Sequence, residues 1–267
     1  MNNQPNFFIL GAQKCGTTWL HQALNEHSDI YMSPEKEIHF FNSKKHFKRG
    51  MNHYKSFFKD SKNEPLKGES TPNYFWTSTY KDEYLKDGCD SEFMHGIPKR
   101  IRQNLGENLK FIILLRNPVD RAISAFYHHL KFDSRLNLDV SFDENIRNFG
   151  IAQMGFYAEH LKHYYTLFNP NQFKVLIYEE FFKDPQLGLN EALSFLSLPK
   201  KNDFSILSNS IHSSKKKVKI NGEYYIHLSK HQVKKIISKQ NISTLRALYK
   251  KENLKLNELL KKDINWA

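Results

Sequence analysis

The stretch Gly11-Ala12-Gln13-Lys14-Cys15-Gly16-Thr17-Thr18 has the makings of an anion cradle. Its glycines let the backbone turn tightly, and amides entering a helix can point at a phosphate or sulfate. Lys14 adds a charge, and Thr17 and Thr18 add hydroxyl donors. The pattern departs from the Walker A loop, which wants lysine directly after the second glycine. Thr17 stands at that place, and the only lysine of the loop lies two residues before Gly16. A second stretch, Arg116-Asn117-Pro118-Val119-Asp120-Arg121-Ala122-Ile123-Ser124, offers a guanidinium fork suited to phosphate and a hydroxyl eight residues on. Arg121 reads either as a further functional cation or as a structural partner of Asp120 or Glu144. A third, Pro34-Glu35-Lys36-Glu37-Ile38-His39-Phe40-Phe41-Asn42, presents Glu37 and His39 as proton acceptors. Two residues apart on a strand, they would face the same side. The plainer reading of Glu37 is a surface pair with Lys36 or Lys44, and that of His39 a satisfied structural histidine.

The first loop, together with Trp19, resembles the 5′-phosphosulfate loop of the PAPS-dependent sulfotransferases, whose donor is 3′-phosphoadenosine 5′-phosphosulfate. The stretch from Arg116 to Ser124 resembles the 3′-phosphate motif of the same family, in the expected order and about 100 residues on. The Glu37 segment is similar to the one that follows the first helix in glycan sulfotransferases, including the heparan sulfate enzymes. Further matches are Gly50 with Tyr54 and Phe57-Phe58, then Gly68-Glu69-Ser70-Thr71-Pro72-Asn73-Tyr74.

The resemblance covers most of the chain. It implies an α/β, P-loop-like, three-layer fold with a central, mainly parallel sheet flanked by helices. It implies transfer of a sulfuryl group from PAPS to an acceptor hydroxyl, or an amine, on a carbohydrate. Adenosine 3′,5′-bisphosphate would be the product, and the chemistry asks for no metal. Glu37 would be the base, with His39 as its helper or its replacement. Lys14 would meet the charge on the departing oxygen, and Lys14, Cys15, Gly16, Thr17 and Thr18 would hold the 5′-phosphosulfate. Trp19 would stack on adenine, and Arg116 and Ser124 would hold the 3′-phosphate. A basic stretch, His212-Ser213-Ser214-Lys215-Lys216-Lys217-Val218-Lys219, falls where the family closes a loop over that phosphate, which singles out Lys217. It lacks the family's clear Arg-Lys-Gly form. One rival is a P-loop kinase or other NTP-dependent phosphotransferase. Against it, the Walker lysine and an obvious metal-binding acid after a strand are both missing. The other is a non-enzymatic polyanion-binding protein.

The elements that must position these groups alternate along the chain. Phe7-Phe8-Ile9-Leu10 and Phe111-Ile112-Ile113-Leu114-Leu115 are continuous apolar runs, as in parallel strands covered on both faces. Phe173 to Tyr178 reads as a third strand and Lys67 to Ser70 as a short fourth. Helices are expected over about 17–25, 119–130 and 186–197, with Pro118 suited to a first turn. The tail, about 230–262, also reads as helical. Strands alternating with helices indicate an α/β fold with a mainly parallel sheet.

Composition narrows the field. The chain has 267 residues, 39% of them hydrophobic, which supplies a sizeable core and argues against disorder. Residues 1–267 read as one domain with a basic, helical portion from about 200. That portion holds 16 basic and five acidic residues, against 24 and 23 in the rest, so nearly all of the +12 charge sits there. A basic region attracts polyanions, but no nucleic-acid motif accompanies it, so the expected partner is an acceptor glycan or small molecule. There is no apolar run of membrane-spanning length and no signal-peptide pattern. Two cysteines, Cys15 and Cys89, make no disulfide framework. These features lead to the expectation of a cytoplasmic protein without a membrane segment. His128 and His129 read as packing residues, and the acids from Asp133 to Glu144 lack metal-ligand spacing.

Overall fold

The computed structural model describes residues 3–77, 91–132, 141–207, 217–220, 223–226 and 237–266. Along the chain, the strands are β1 (Phe7–Gly11), β2 (Ile30–Met32), β3 (Leu66–Ser70), β4 (Lys110–Leu115), β5 (Phe173–Ile177), β6 (Lys217–Ile220) and β7 (Glu223–Ile226). The helices that matter below are α1 (Thr17–Leu24), α2 (Lys44–Phe47), α3 (Gly50–Ser56), α4 (Ile97–Leu105), α5 (Pro118–Phe132), α6 (Tyr178–Phe181), α7 (Pro185–Phe195) and α8 (Lys239–Leu260). The chain forms two compact units. Among the described residues the first comprises 3–77, 91–116 and 160–207, and the second comprises the remainder.

The first unit is built on a five-stranded sheet in the order β2-β3-β1-β4-β5, with every pair parallel. The apolar runs explain the middle of it. Phe7, Phe8, Ile9 and Leu10 of β1 and Phe111 through Leu115 of β4 are all fully buried, as residues covered on both faces must be. Phe111 is the hub, with ring centroids 4.7 Å from Phe173, 4.8 Å from Phe168 and 5.9 Å from both Phe8 and Tyr164. Helix α1 returns Leu20, Ala23 and Leu24 to the core, and α7 returns Leu189, Ala192 and Leu193. Asp184 caps α7, its side chain accepting the Leu187 amide at 3.0 Å, and Pro185 opens the first turn.

The strand register breaks between Ile9 and Gly11, so that Gly11 pairs with Ile113. A Cβ at Gly11 would stand 2.8 Å from the Pro72 carbonyl oxygen and 2.9 Å from Phe75 Cβ. Only glycine lets the strand end lie this close to the segment after β3.

The second unit packs α5 and α8 around Ala122, Ala125, Phe126, Phe142, Ile151, Leu245 and Tyr249. The Tyr249 hydroxyl donates to the Ala152 carbonyl at 2.7 Å. Strands β6 and β7 form an antiparallel ribbon with Lys217 opposite Ile226. Among the described tail residues the helix runs from Lys239, where Ser238 accepts the Asn241 amide and closes a capping box. Residues 230–236 lie outside the described residues. Among the described residues no helix is long and apolar enough to cross a membrane.

Phe111→Ala is expected to cost about 3–5 kcal/mol of stability, the usual range for emptying a fully packed aromatic site. Chemical denaturation measures it, and a loss below 1 kcal/mol would show that the ring cluster does not hold the sheet.

Candidate functional site

The parallel sheet delivers the ends of β1, β3, β4 and β5 to one edge, where ligands of open α/β sheets are bound. At the end of β1 the chain turns sharply. The Ala12 amide donates to the Leu114 carbonyl of β4 at 2.7 Å, and the Cys15 amide returns to the Ala12 carbonyl at 3.2 Å. Lys14 then adopts a left-handed backbone, φ 67°, and Gly16 another, φ 87°. Gly16, at the N-cap of α1, offers no side chain to the first-turn amides, and no acidic residue sits in that turn. A helix start of this kind favours an anion through its amides and its dipole. Gly16 is also held by space, since a Cβ there would meet the Phe182 ring at 2.6 Å.

Thr17 is buried and Thr18 exposed at this helix start. Cys15 is a buried free thiol whose Sγ lies 3.6 Å from the Gln13 carbonyl. Trp19 is buried edge-on between Phe181, 5.7 Å away, and Phe182, 5.5 Å away.

Arg116 follows β4 directly. Its Nη1 lies 3.5 Å from the Lys14 carbonyl oxygen, and its guanidinium carbon lies 4.7 Å from the Tyr178 ring centroid. The two motifs, some hundred residues apart in sequence, thus touch, and Tyr178 of α6 backs the guanidinium. Ser124 sits half-buried on α5 in the second unit. Lys217 opens β6, and its side chain, like residues 211–216 as a whole, lies outside what is described.

Glu37 and His39 do come together, though not on a strand. Residues 33–43 form an irregular loop, and both residues carry left-handed backbones, φ 65° and 55°. Non-glycine residues rarely adopt this conformation, and where several do, the surrounding structure holds them there. Ile38, between them, is buried. The Glu37 amide donates to the Ser70 carbonyl of β3 at 3.0 Å. His39 Nε2 lies 3.6 Å from Glu37 Oε2, while Nδ1 faces the Asn42 side-chain amide at 3.2–3.3 Å. Lys36, and not Lys44, makes the ion pair with Glu37. Burial pushes the Glu37 carboxyl up, but the bond from His39 and the charge and hydrogen bond of Lys36 outweigh it and bring the pKa down to about 2. Lys36 also faces α1. Burial, followed by the Lys36 charge, lowers the His21 pKa to about 4.

Arg121 corrects the expected ion pair. It is fully buried in the second unit and donates to the Ile151 carbonyl, with neither Asp120 nor Glu144 as its partner. It therefore anchors the 151 loop, as a core residue. His129 stacks on Phe149 at 4.6 Å, as a packing histidine does. Among the described residues no group of three or more His, Cys, Asp or Glu could hold a metal ion. A cavity of about 480 Å³ beside α8, lined by Arg246, Lys250, Leu254 and Trp266 among others, contains none of the candidate residues.

Two features of the site go beyond the expected residues. Tyr178 carries Arg116, yet its sequence context reads only as the end of a strand. Glu69, Tyr54 and Tyr74 belong to a recognised pattern whose job in the site the spacing alone does not show.

The chain belongs to the sulfotransferase domain family, whose model matches residues 4–256. It is 26% identical to a sulfotransferase from Alicyclobacillus acidocaldarius of known structure, with a TM-score of 0.72 and 98% of each chain covered. Among characterised relatives it is 28% identical over 217 residues to a bifunctional heparan sulfate N-deacetylase/N-sulfotransferase 1 of Xenopus laevis, covering 75% of this chain and 23% of that protein. It is 25% identical over 205 residues to the heparan sulfate glucosamine 3-O-sulfotransferase 5 of Mus musculus, covering 73% and 54%. The chain thus spans between about a quarter and a half of the curated relatives it matches.

Lys36→Met is expected to raise the Glu37 midpoint from about 2 toward its ordinary 4.5. Because the folded value is depressed, the pair stabilises the protein above about pH 4.5 and loses that contribution as pH falls through about 2. The variant should narrow this acid window. Carboxyl ¹³C NMR titration, assigned with Glu37→Gln, measures the shift, and an unmoved midpoint would rule out Lys36 as its cause.

Proposed function

We propose that this chain is an enzyme that moves a sulfuryl group from PAPS to a hydroxyl or amine on a carbohydrate, with residues 1–267 acting as one sulfotransferase domain. The observation that carries the reading is the meeting of two elements suited to anions, the glycine turn of Lys14 to Thr18 at the start of α1 and the Arg116 fork, at Lys14. The residues present fit the donor. One doubly anionic end calls for helix amides and a lysine, and the other calls for a guanidinium that can bond it through two nitrogens. Gly16 makes the left-handed turn into the helix start, where the Phe182 ring leaves no room for a Cβ.

In this reading PAPS supplies an activated sulfuryl group with a phosphate as leaving group. The amides of Lys14, Cys15, Gly16, Thr17 and Thr18 bind that end, and Lys14 meets the negative charge that grows on the oxygen released. Arg116 and Ser124 hold the 3′-phosphate, with Lys217 the candidate from the basic ribbon, and Trp19 offers a ring beside the base. Glu37 takes the acceptor proton as the new bond to sulfur forms. His39 orients the carboxylate or takes the proton in its place. Glu37 is weakly basic while Lys36 holds it, so the acceptor must loosen that pair as it enters. Positioning of the two substrates supplies much of the rate.

Several features support a glycan acceptor. The relatives named above act on heparan sulfate, one at nitrogen and one at oxygen. The segment after the Glu37 loop holds Lys44, Lys45, Lys48, Arg49, Lys55, Lys59 and Lys62 against Asp60 and Glu64, a surface suited to an acidic chain. A cytoplasmic location follows from the sparse cysteines and belongs to the same proposal.

Adenosine 3′,5′-bisphosphate at about 100 times its dissociation constant should add roughly 2.7 kcal/mol of stability, a melting shift of about 5 °C in a chain of this size. Arg116→Ala should lose most of the shift, and ATP with magnesium should give little. If ATP with magnesium stabilises the protein and the bisphosphate does not, a phosphotransferase takes the place of this reading. Transfer of radiolabelled sulfate from PAPS to N-desulfated and O-desulfated heparan chains then separates amine from hydroxyl acceptors. Lys14→Ala should lower turnover by at least about 100-fold, the scale of a lost charge-stabilising donor, and near-normal turnover would remove Lys14 from its role.

A further inference from the structure

We propose that Tyr74 is a positioning residue, whose buried hydroxyl fixes the loop that carries Glu37 and His39. The inference rests on the reading of Glu37 as the base. Glu69 lies on β3 with no exposed surface. Its carboxylate accepts the Tyr54 hydroxyl and, at 2.7 Å, the Thr71 hydroxyl. A phenol has one proton to give and lone pairs to receive. Behind this carboxyl, the buried Tyr74 hydroxyl accepts the backbone amides of Phe40 at 2.9 Å and Phe41 at 3.2 Å. These are the two residues directly after His39.

The remaining polar groups of the segment are held from the same side. Arg100 of α4 donates to the Phe41 carbonyl, with Nη2 at 2.7 Å and Nε at 3.1 Å. The Glu37 amide is tied to β3 at the other end. The Phe40 ring stacks on Tyr54 at 4.7 Å, and the Phe41 ring meets Tyr74 edge-on at 5.6 Å. Glu37 and His39 are thus bracketed by anchors on β3, on its continuation and on α4, which hold their left-handed backbones in place. Packing alone does not account for the Tyr74 hydroxyl. A ring without it would fill the same space, but a buried amide left without a partner is costly. The hydroxyl does what an apolar group cannot, which is to give the Phe40 and Phe41 amides an acceptor.

Tyr74→Phe removes only the hydroxyl and keeps the ring. Amide hydrogen exchange at Phe40 and Phe41 should become roughly tenfold faster, the scale of losing one or two hydrogen bonds, with β1 and β4 amides unchanged. The Glu37 midpoint, read by carboxyl NMR, should rise from about 2 as its contact with His39 loosens. Affinity for adenosine 3′,5′-bisphosphate should stay within about twofold, since the Lys14 loop is not held by Tyr74. Wild-type exchange and an unmoved midpoint in Tyr74→Phe would overturn the proposal. So would faster exchange with an unmoved midpoint, which would make Tyr74 a packing residue only. A fall in bisphosphate affinity alongside the loop changes would also overturn it, because the loosening would then be general. Failure of the wild-type protein to bind the bisphosphate strikes the sulfotransferase reading instead, and the loop measurements need no nucleotide.

Discussion

Parallel pairing of β1 with both β3 and β4 is the constraint from which the site follows. Strands that run the same way must end at the same edge, so three stretches distant in sequence are brought together by backbone hydrogen bonds alone. The Lys14 loop leaves β1, Ser70 and Thr71 leave β3, and Arg116 leaves β4. The fully apolar middle of the sheet makes that edge rigid. Side chains that must hold unusual backbone angles are then attached to a frame that does not yield.

The frame and the site use different kinds of interaction. The sheet is held by close packing of large rings, with Phe111 touching four of them. The loops are held by polar anchors, namely the Ala12 amide on β4, the Glu37 amide on β3, and the phenol of Tyr74 under Phe40 and Phe41. Packing is indifferent to a rotation of a few degrees, whereas a hydrogen bond is not. A site that must present a carboxylate and a cation at fixed places therefore needs the second kind.

The sheet's inner strands are legible in the sequence because residues buried on both faces leave uninterrupted apolar runs, as at Phe7 to Leu10 and Phe111 to Leu115. The β2 strand, Ile30-Tyr31-Met32, is too short to show a period. The β6–β7 ribbon hides in a lysine-rich stretch that reads as a loop, although Val218 and Ile220 alternate with lysines there. The anion loop and Arg116 are legible because glycine, lysine and arginine at fixed spacing have few other uses. The turns at Lys14, Glu37 and His39 are not, since the usual signals of left-handed backbone are glycine and asparagine. The same blindness places Glu37 and His39 on a strand and reaches the right neighbourhood by the wrong geometry. Arg121 shows the opposite error, for a charge beside Asp120 in sequence is a core residue in space.

Lys14, Glu37 and His39 each occupy a backbone conformation that glycine would hold with less strain. This chain carries a bulky, ionisable side chain at all three. The protein is therefore less settled at this edge than its core would allow, and with the proposed roles stability and chemistry are opposed at the same three positions. A consensus or thermostabilising search scored on melting temperature alone would be drawn to relax these turns. It would be selecting, residue by residue, for a well-folded protein without the side chains to which the proposed chemistry is assigned.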